Sequence, residues 1–199
     1  MSPSDAPIVL VVDDEPDVAD AYAAQLGERY TVRTAYSGQD ALEMIDGDVS
    51  VVLLDRRMPG LSGDGVLERI RGDGIDARIA MVTAVDPDFD IIEMPFDDYL
   101  TKPVSREDLF TTVERLLTCA KYESQFQQFY ALTNKIATLR ANKSEADLEN
   151  SEEFERLQQE RQRTREQLDD TIAEFDDDDF AVMFREMHPS APSVGDGEE

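Results

Sequence analysis

The chain has 199 residues, with 45 Asp and Glu against 19 Lys and Arg, for a formal net charge of −26. That length suits one domain of ordinary size plus an appendage, and the single cysteine, Cys119, excludes an intrachain disulfide. One histidine (His188) beside one cysteine gives a zinc site little to build on, and no apolar run approaches the ~18 residues that a membrane helix requires.

The acidity is not confined to a tail. Residues 1–121 carry 25 acids and 11 bases, and residues 122–199 carry 20 acids and 8 bases. An apolar share of 41% argues against disorder for most of the chain. Solubility is one reason for such charge. A cytoplasm of very high salt is another, because at molar salt the Debye length falls to roughly 3 Å and self-repulsion is screened. Few lysines among many acids is similar to what halophilic proteins show. The start, MSPSDAP, has neither a basic nor an apolar stretch, so a soluble, cytoplasmic protein without membrane contact is expected.

In chain order, IVLVV (8–12) reads as a strand. An amphipathic helix follows on Val18, Ala21, Tyr22 and Leu26, closed by Gly27. YTVRTA (30–35) is a weaker strand, and Ser37 then caps a helix that Gly47 closes. VSVVLLD (49–55) is a third strand, and residues 65–71 form a helix with Val66, Leu67 and Ile70 on one face. ARIAMVTA (77–84) is a fourth strand and DYLTKP (98–103) holds a short fifth, after which Ser105 caps a helix with Glu107 and Asp108 in its first turn. Alternating strands and helices at this spacing predict an α/β, doubly wound, five-stranded parallel sheet of flavodoxin-like type. Strands of near-continuous Val, Leu and Ile suit a sheet buried on both faces.

Beyond residue 105 no strand signal remains. Apolar residues recur as Leu109, Val113, Leu116, Ala120, Phe126, Tyr130, Ile136 and Leu139, near heptad spacing. A break at ANKSEADLENSEE offers Ser144 and Ser151 as caps. A second amphipathic run carries Phe154, Leu157, Leu168, Ile172 and Phe175. An all-α helical hairpin or coiled coil is expected. The acidic run 176–179 ends it, FAVMF (180–184) is a candidate docking helix, and residues 188–199 an expected disordered tail. The domains are thus a first at 1–121, a helical one at 122–187 and the tail at 188–199.

In a doubly wound sheet, ligands bind beyond the carboxyl ends of the strands. Asp13 and Asp14 end the first strand and Asp55 the third; Thr83 ends the fourth and Lys102 follows the fifth. Carboxylates gathered there repel one another unless a cation joins them. Mg²⁺ suits few carboxylates together with water and a phosphate. One carboxylate can then act as nucleophile toward a phosphoryl group, with Lys102 neutralising its charge and Thr83 donating a hydrogen bond to it.

VLVVDDEPDV, LLDRRMPGLSG, MVTA and DYLTKP, in this order and spacing, resemble the receiver domain of two-component response regulators over about residues 7–121. The resemblance implies that Asp55 accepts a phosphoryl group from a histidine kinase. Mg²⁺ would be held by Asp14 directly, by Asp13 mainly through water, by Asp55, and by the backbone carbonyl of Arg57. Lys102 would pair with the phosphoryl group, and Thr83 with Tyr99 would form a switch pair. No independent enzyme is implied beyond slow autodephosphorylation. Arg57 stands where a haloacid-dehalogenase-type phosphohydrolase needs a second acid. The interval from Thr83 to Lys102 is short for the family, and Pro87 and Pro95 leave room for only a stunted fourth helix.

Residues 122–187 resemble the HalX domain, an all-helical module found behind receiver domains in haloarchaea, which implies transcriptional control through DNA. The charge pattern gives that mixed support. Arg156, Arg161, Arg163 and Arg165 cluster, but Glu152, Glu155, Glu160 and Glu166 interleave them. An adaptor whose helices form a homodimer or dock on a protein partner, without DNA, is the other reading.

Overall fold

Five short segments form five parallel strands in a computed structural model of the chain, which describes residues 6–175. The acidic run at 176–179, FAVMF (180–184), His188 and the expected tail lie outside the described residues. The strands are β1 (Ile8–Val12), β2 (Thr31–Ala35), β3 (Val49–Leu54), β4 (Arg78–Thr83) and β5 (Asp98–Thr101), in the spatial order β2-β1-β3-β4-β5. Three helices connect them: α1 (Pro16–Leu26), α2 (Gly38–Met44) and α3 (Gly63–Gly72). The last crossover carries only a five-residue 3₁₀ helix, Phe89–Glu93, between Pro87 and Pro95.

Strand alternation sends side chains to both faces. Leu10, Val12, Val52, Leu54, Ile79 and Met81 meet Ala41 of α2 and Val66, Leu67 and Ile70 of α3 in one core cluster. Val9, Val11, Val51, Leu53, Ala80 and Val82 meet Ala19 and Leu26 of α1 in the other. Leu109, Val113 and Leu116 close that second cluster from the start of α4 (Arg106–Asn142). Both faces are therefore dry, as the continuous apolar runs require. Helix α2 stops at Met44, three residues before Gly47. Arg33 of β2 donates to the Met44 carbonyl at 2.8 Å, so a neighbouring strand satisfies that helix end.

The chain divides into two compact units at Leu117 and Thr118, a boundary that falls inside the 37-residue α4. The second unit is an antiparallel helical hairpin. The expected break holds a short helix, α5 (Glu145–Glu149), before α6 (Glu152–Ile172) begins. Ser144 and Ser151 cap α5 and α6, their hydroxyls accepting from the amides of Asp147 and Phe154. Lys121 pairs with Glu174 at 2.8 Å, Gln125 accepts from Thr171 at 2.9 Å, and the rings of Tyr122 and Phe175 meet edge-on. Residue numbers rise along α4 as they fall along α6, which defines the antiparallel pairing. Inward positions on α4 are Tyr122, Gln125, Phe129, Leu132, Ile136 and Leu139, an alternating three–four spacing. Phe126 and Tyr130, expected among the inward residues, are 44% and 62% exposed, because the heptad seam passes one position to their side. On α6, Phe154, Thr164, Leu168 and Thr171 are buried.

Candidate functional site

Strand ends in the first unit deliver the polar cluster. Backbone pairing continues one step beyond the strands: Asp13 donates its amide to Ala35, Asp55 to Val12 at 2.8 Å, and Lys102 to Thr83 at 2.8 Å. These bonds fix the residues that follow β1, β3 and β5 at one sheet edge. Asp13 and Asp55 are buried, 2% and 6% exposed. Lys102 Nζ lies 2.6 Å from Asp13 Oδ2 and 2.9 Å from Asp55 Oδ1. One ammonium therefore binds two carboxylates that would otherwise repel. The Lys102–Pro103 peptide is cis.

Burial, the largest influence, raises the Asp55 carboxyl above the usual carboxylate range; Lys102 and the Arg57 amide pull part of this back, and Asp13 adds to the rise. For Lys102, burial works against the charge, but hydrogen bonds to Asp13 and Asp55 outweigh it and raise the ammonium above its ordinary value. The Arg57 amide donates to Asp55 Oδ2 at 2.7 Å, which orients that carboxylate. The Asp13 carboxylate also accepts from the Glu15 amide at 3.1 Å.

Asp14 is half-buried and, among the described residues, makes no hydrogen bond or ion pair with the other three groups. The described residues also contain no ready-made cluster of three metal-ligating side chains, since Lys102 bridges two of the carboxylates. The donors nevertheless fit Mg²⁺ in type and in charge. All are hard oxygens, and three carboxylates against one ammonium leave a local excess of two negative charges, which a divalent ion balances.

Thr83 is buried at the end of β4, and its hydroxyl accepts from the Val85 amide at 3.3 Å. The Tyr99 hydroxyl donates to the Val85 carbonyl at 2.7 Å, and its ring lies 5.6 Å from that of Phe96. Thr83 and Tyr99 are thus joined through the two faces of one peptide residue. The Arg57 side chain is exposed.

Two features escape a reading along the sequence. Gly63 presses on the Asp55–Arg56 backbone: a Cβ there would stand 2.1 Å from the Asp55 carbonyl oxygen and 2.9 Å from the Arg56 Cα. Only glycine allows α3 to start that close. Arg56 folds its side chain inward, donating from Nε to Asp64 at 3.0 Å and from Nη2 to Asp90. The spacing LLDRRMPGLSG was the one available signal for Gly63; none existed for Arg56, whose partners stand 8 and 34 residues away.

A parallel sheet of order 2-1-3-4-5 with Asp13, Asp55, Lys102 and Thr83 at one edge defines a signalling receiver domain. Sequence comparison agrees: residues 9–114 match the response regulator receiver domain, and residues 118–184 match the HalX domain. The chain belongs to the response regulator receiver family and carries a HalX domain behind the receiver. It is 54% identical over 133 residues to a candidate transcriptional regulator of Haloferax volcanii, covering 66% of this chain and 23% of that protein. It is 34% identical over 154 residues to the transcriptional regulatory protein DltR of Streptococcus agalactiae, covering 75% and 66%. The chain spans less than two thirds of either relative's length. Among solved structures it is similar to the BeF3-activated receiver domain of DrrB, a response regulator of Thermotoga maritima, with a TM-score of 0.53 and 28% identity over 56% of this chain and 97% of that domain. No helix among the described residues is long and apolar enough to cross a membrane.

Proposed function

We propose that the chain is phosphorylated on Asp55 by a histidine kinase in the presence of Mg²⁺, and that this event controls transcription through the helical domain. The observation that carries the reading is the buried Asp13–Lys102–Asp55 bridge at the sheet edge. A carboxylate oxygen of Asp55 attacks phosphorus; an acyl phosphate bond forms, the phosphorus–nitrogen bond of the phosphohistidine breaks, and its electron pair stays on the imidazole. Asp13, Asp14, Asp55 and the Arg57 carbonyl would hold Mg²⁺, which offsets charge on the phosphoryl oxygens when bound. Lys102 already faces Asp55 and pairs with the incoming group. The Thr83 hydroxyl turns toward it and gives up its bond from Val85, which frees the residue that anchors Tyr99. The chain accepts a phosphoryl group and turns over no substrate of its own. Transcriptional regulators among its relatives support the output.

One observation favours a second reading, an adaptor or homodimer that touches no DNA. Residues 124–134 of α4 carry no charge in a chain of net −26, and Phe126 and Tyr130 are exposed within them. Residues 122–199 hold 20 acids against 8 bases, which opposes contact with phosphates. Chromatin immunoprecipitation of the tagged protein, beside an Asp55→Ala strain, separates the two. Discrete loci that change in the mutant support transcriptional control. No enrichment in either strain, at normal protein levels, contradicts it.

A further inference from the structure

Arg56 has no part in the chemistry above, yet its side chain is only 11% exposed. A guanidinium is buried at a cost unless its donors are met. Here Nε donates to both Asp64 oxygens at 3.0 and 3.3 Å, and Nη2 reaches Asp64 at 3.4 Å and also Asp90. Asp64 stands in the first turn of α3. Asp90 stands in the first turn of the Phe89–Glu93 helix, in the crossover between β4 and β5. Hydrogen bonds to Asp90 and then Asp64 hold the guanidinium above its ordinary value against burial, and the Tyr99 hydroxyl adds to this.

The backbone of Arg56 is equally engaged. Its carbonyl accepts from the Gly63 amide at 2.9 Å, and it lies between Asp55 and Arg57, whose amide binds the acceptor carboxylate. The turn it reaches is weakly anchored by apolar packing, since Phe89 and Ile92 are 85% and 75% exposed. One residue thus holds the acceptor loop by its backbone and the crossover by its side chain.

We propose that Arg56 straps the Phe89–Glu93 turn to the acceptor loop, so that a change at Asp55 reaches that turn through Arg56 as well as through Thr83 and Tyr99. The inference rests on Asp55 being the phosphoryl acceptor. A phosphoryl group adds close to two negative charges one residue from Arg56. The loop must rearrange around them, and the strap carries the displacement to Asp90. Because the guanidinium is largely buried, salt screens the strap less than it screens surface pairs.

Hydrogen exchange by mass spectrometry on the full chain tests this, with and without beryllofluoride and Mg²⁺, which together mimic a phosphoryl group on a carboxylate. Asp90→Ala is the decisive variant, since the Asp90 carboxylate is exposed and alanine leaves Arg56 no side-chain acceptor there; Arg56→Gln should reproduce it. In Asp90→Ala, amides of 86–94 are expected to exchange about threefold faster or more without ligand. Their response to beryllofluoride should fall below half that of the wild type, while the response at 54–62 is kept. Exchange and response at 86–94 equal to the wild type would overturn the strap. A wild type that shows no response at 54–62 would instead strike the acceptor assignment and the coupling with it, while the ligand-free comparison still decides whether Arg56 holds the turn.

Discussion

The burial of Asp55 works against stability at neutral pH. Its folded carboxyl lies above the usual range because burial is the largest influence on it. The folded state therefore holds this proton more tightly than the unfolded state does. Stability from this group is complete below the unfolded carboxylate value and is lost as pH rises through that value to the folded one. Asp55→Asn removes the loss. In chelator, the variant is expected to unfold at a higher temperature than the wild type at neutral pH, with the gap closing toward acid pH; thermal melts across that range measure it. A variant that is less stable at neutral pH would mean that the Lys102 bridge outweighs burial. Asp13 and Asp55 were legible in the sequence because each directly follows an apolar run, so strand ends mark them; Lys102 follows only the short DYLT and was legible through the DYLTKP pattern. Arg56 was not legible, since both its acids arrive through the fold.

The loop after Asp55 leans on the start of α3. The first residue of that helix, Gly63, approaches the Asp55 carbonyl too closely for any side chain, and the obstructing atoms are backbone. Gly63→Ala is expected to cost about 2 kcal/mol, within the range for overpacking a rigid site, and to slow phosphorylation; urea unfolding and labelling rates check the two parts. In the second unit, Ile136 is 2% exposed in the seam between α4 and α6. Ile136→Ala should destabilise the hairpin by about 3 kcal/mol, read as faster hydrogen exchange in α6 with the receiver peptides unchanged. Helix existence was legible from period and caps, because Ser37, Ser105, Ser144 and Ser151 each stand where an amide needs an acceptor. Which helix face turns inward was less so. Aromatic residues at 122, 126, 129 and 130 satisfy two overlapping spacings, and only the partner helix chooses between them.

At the scale of the whole molecule, the charge of −26 acts on both units, since neither half of the sequence is neutral. Self-repulsion of that size is relieved as salt shortens the screening length from about 10 Å at 0.1 M to about 3 Å at 1 M. The melting temperature is therefore expected to rise by several degrees or more from dilute buffer to molar KCl, and a calorimetric salt series tests this. A flat profile would mean that the surface ion pairs, such as Arg29 with Glu114 at 2.5 Å and Arg33 with Asp46 at 2.8 Å, already offset the repulsion locally. The three central strands of the receiver sheet were legible because parallel strands buried on both faces leave long apolar runs, whereas the edge strands β2 and β5 gave weaker signals. What the helical unit contacts was not, since a solvated helix face carries no chemistry of fixed spacing.

Asp55 is proposed as the phosphoryl acceptor beside Lys102 and Asp13. The most direct test is intact-mass spectrometry of the full chain after incubation with acetyl phosphate and Mg²⁺, beside Asp55→Asn treated in the same way. The wild type is expected to gain the mass of one phosphoryl group, with the gain abolished by chelator and absent from the variant. An equal gain in Asp55→Asn, or none in the folded wild type with Mg²⁺ present, would contradict the assignment.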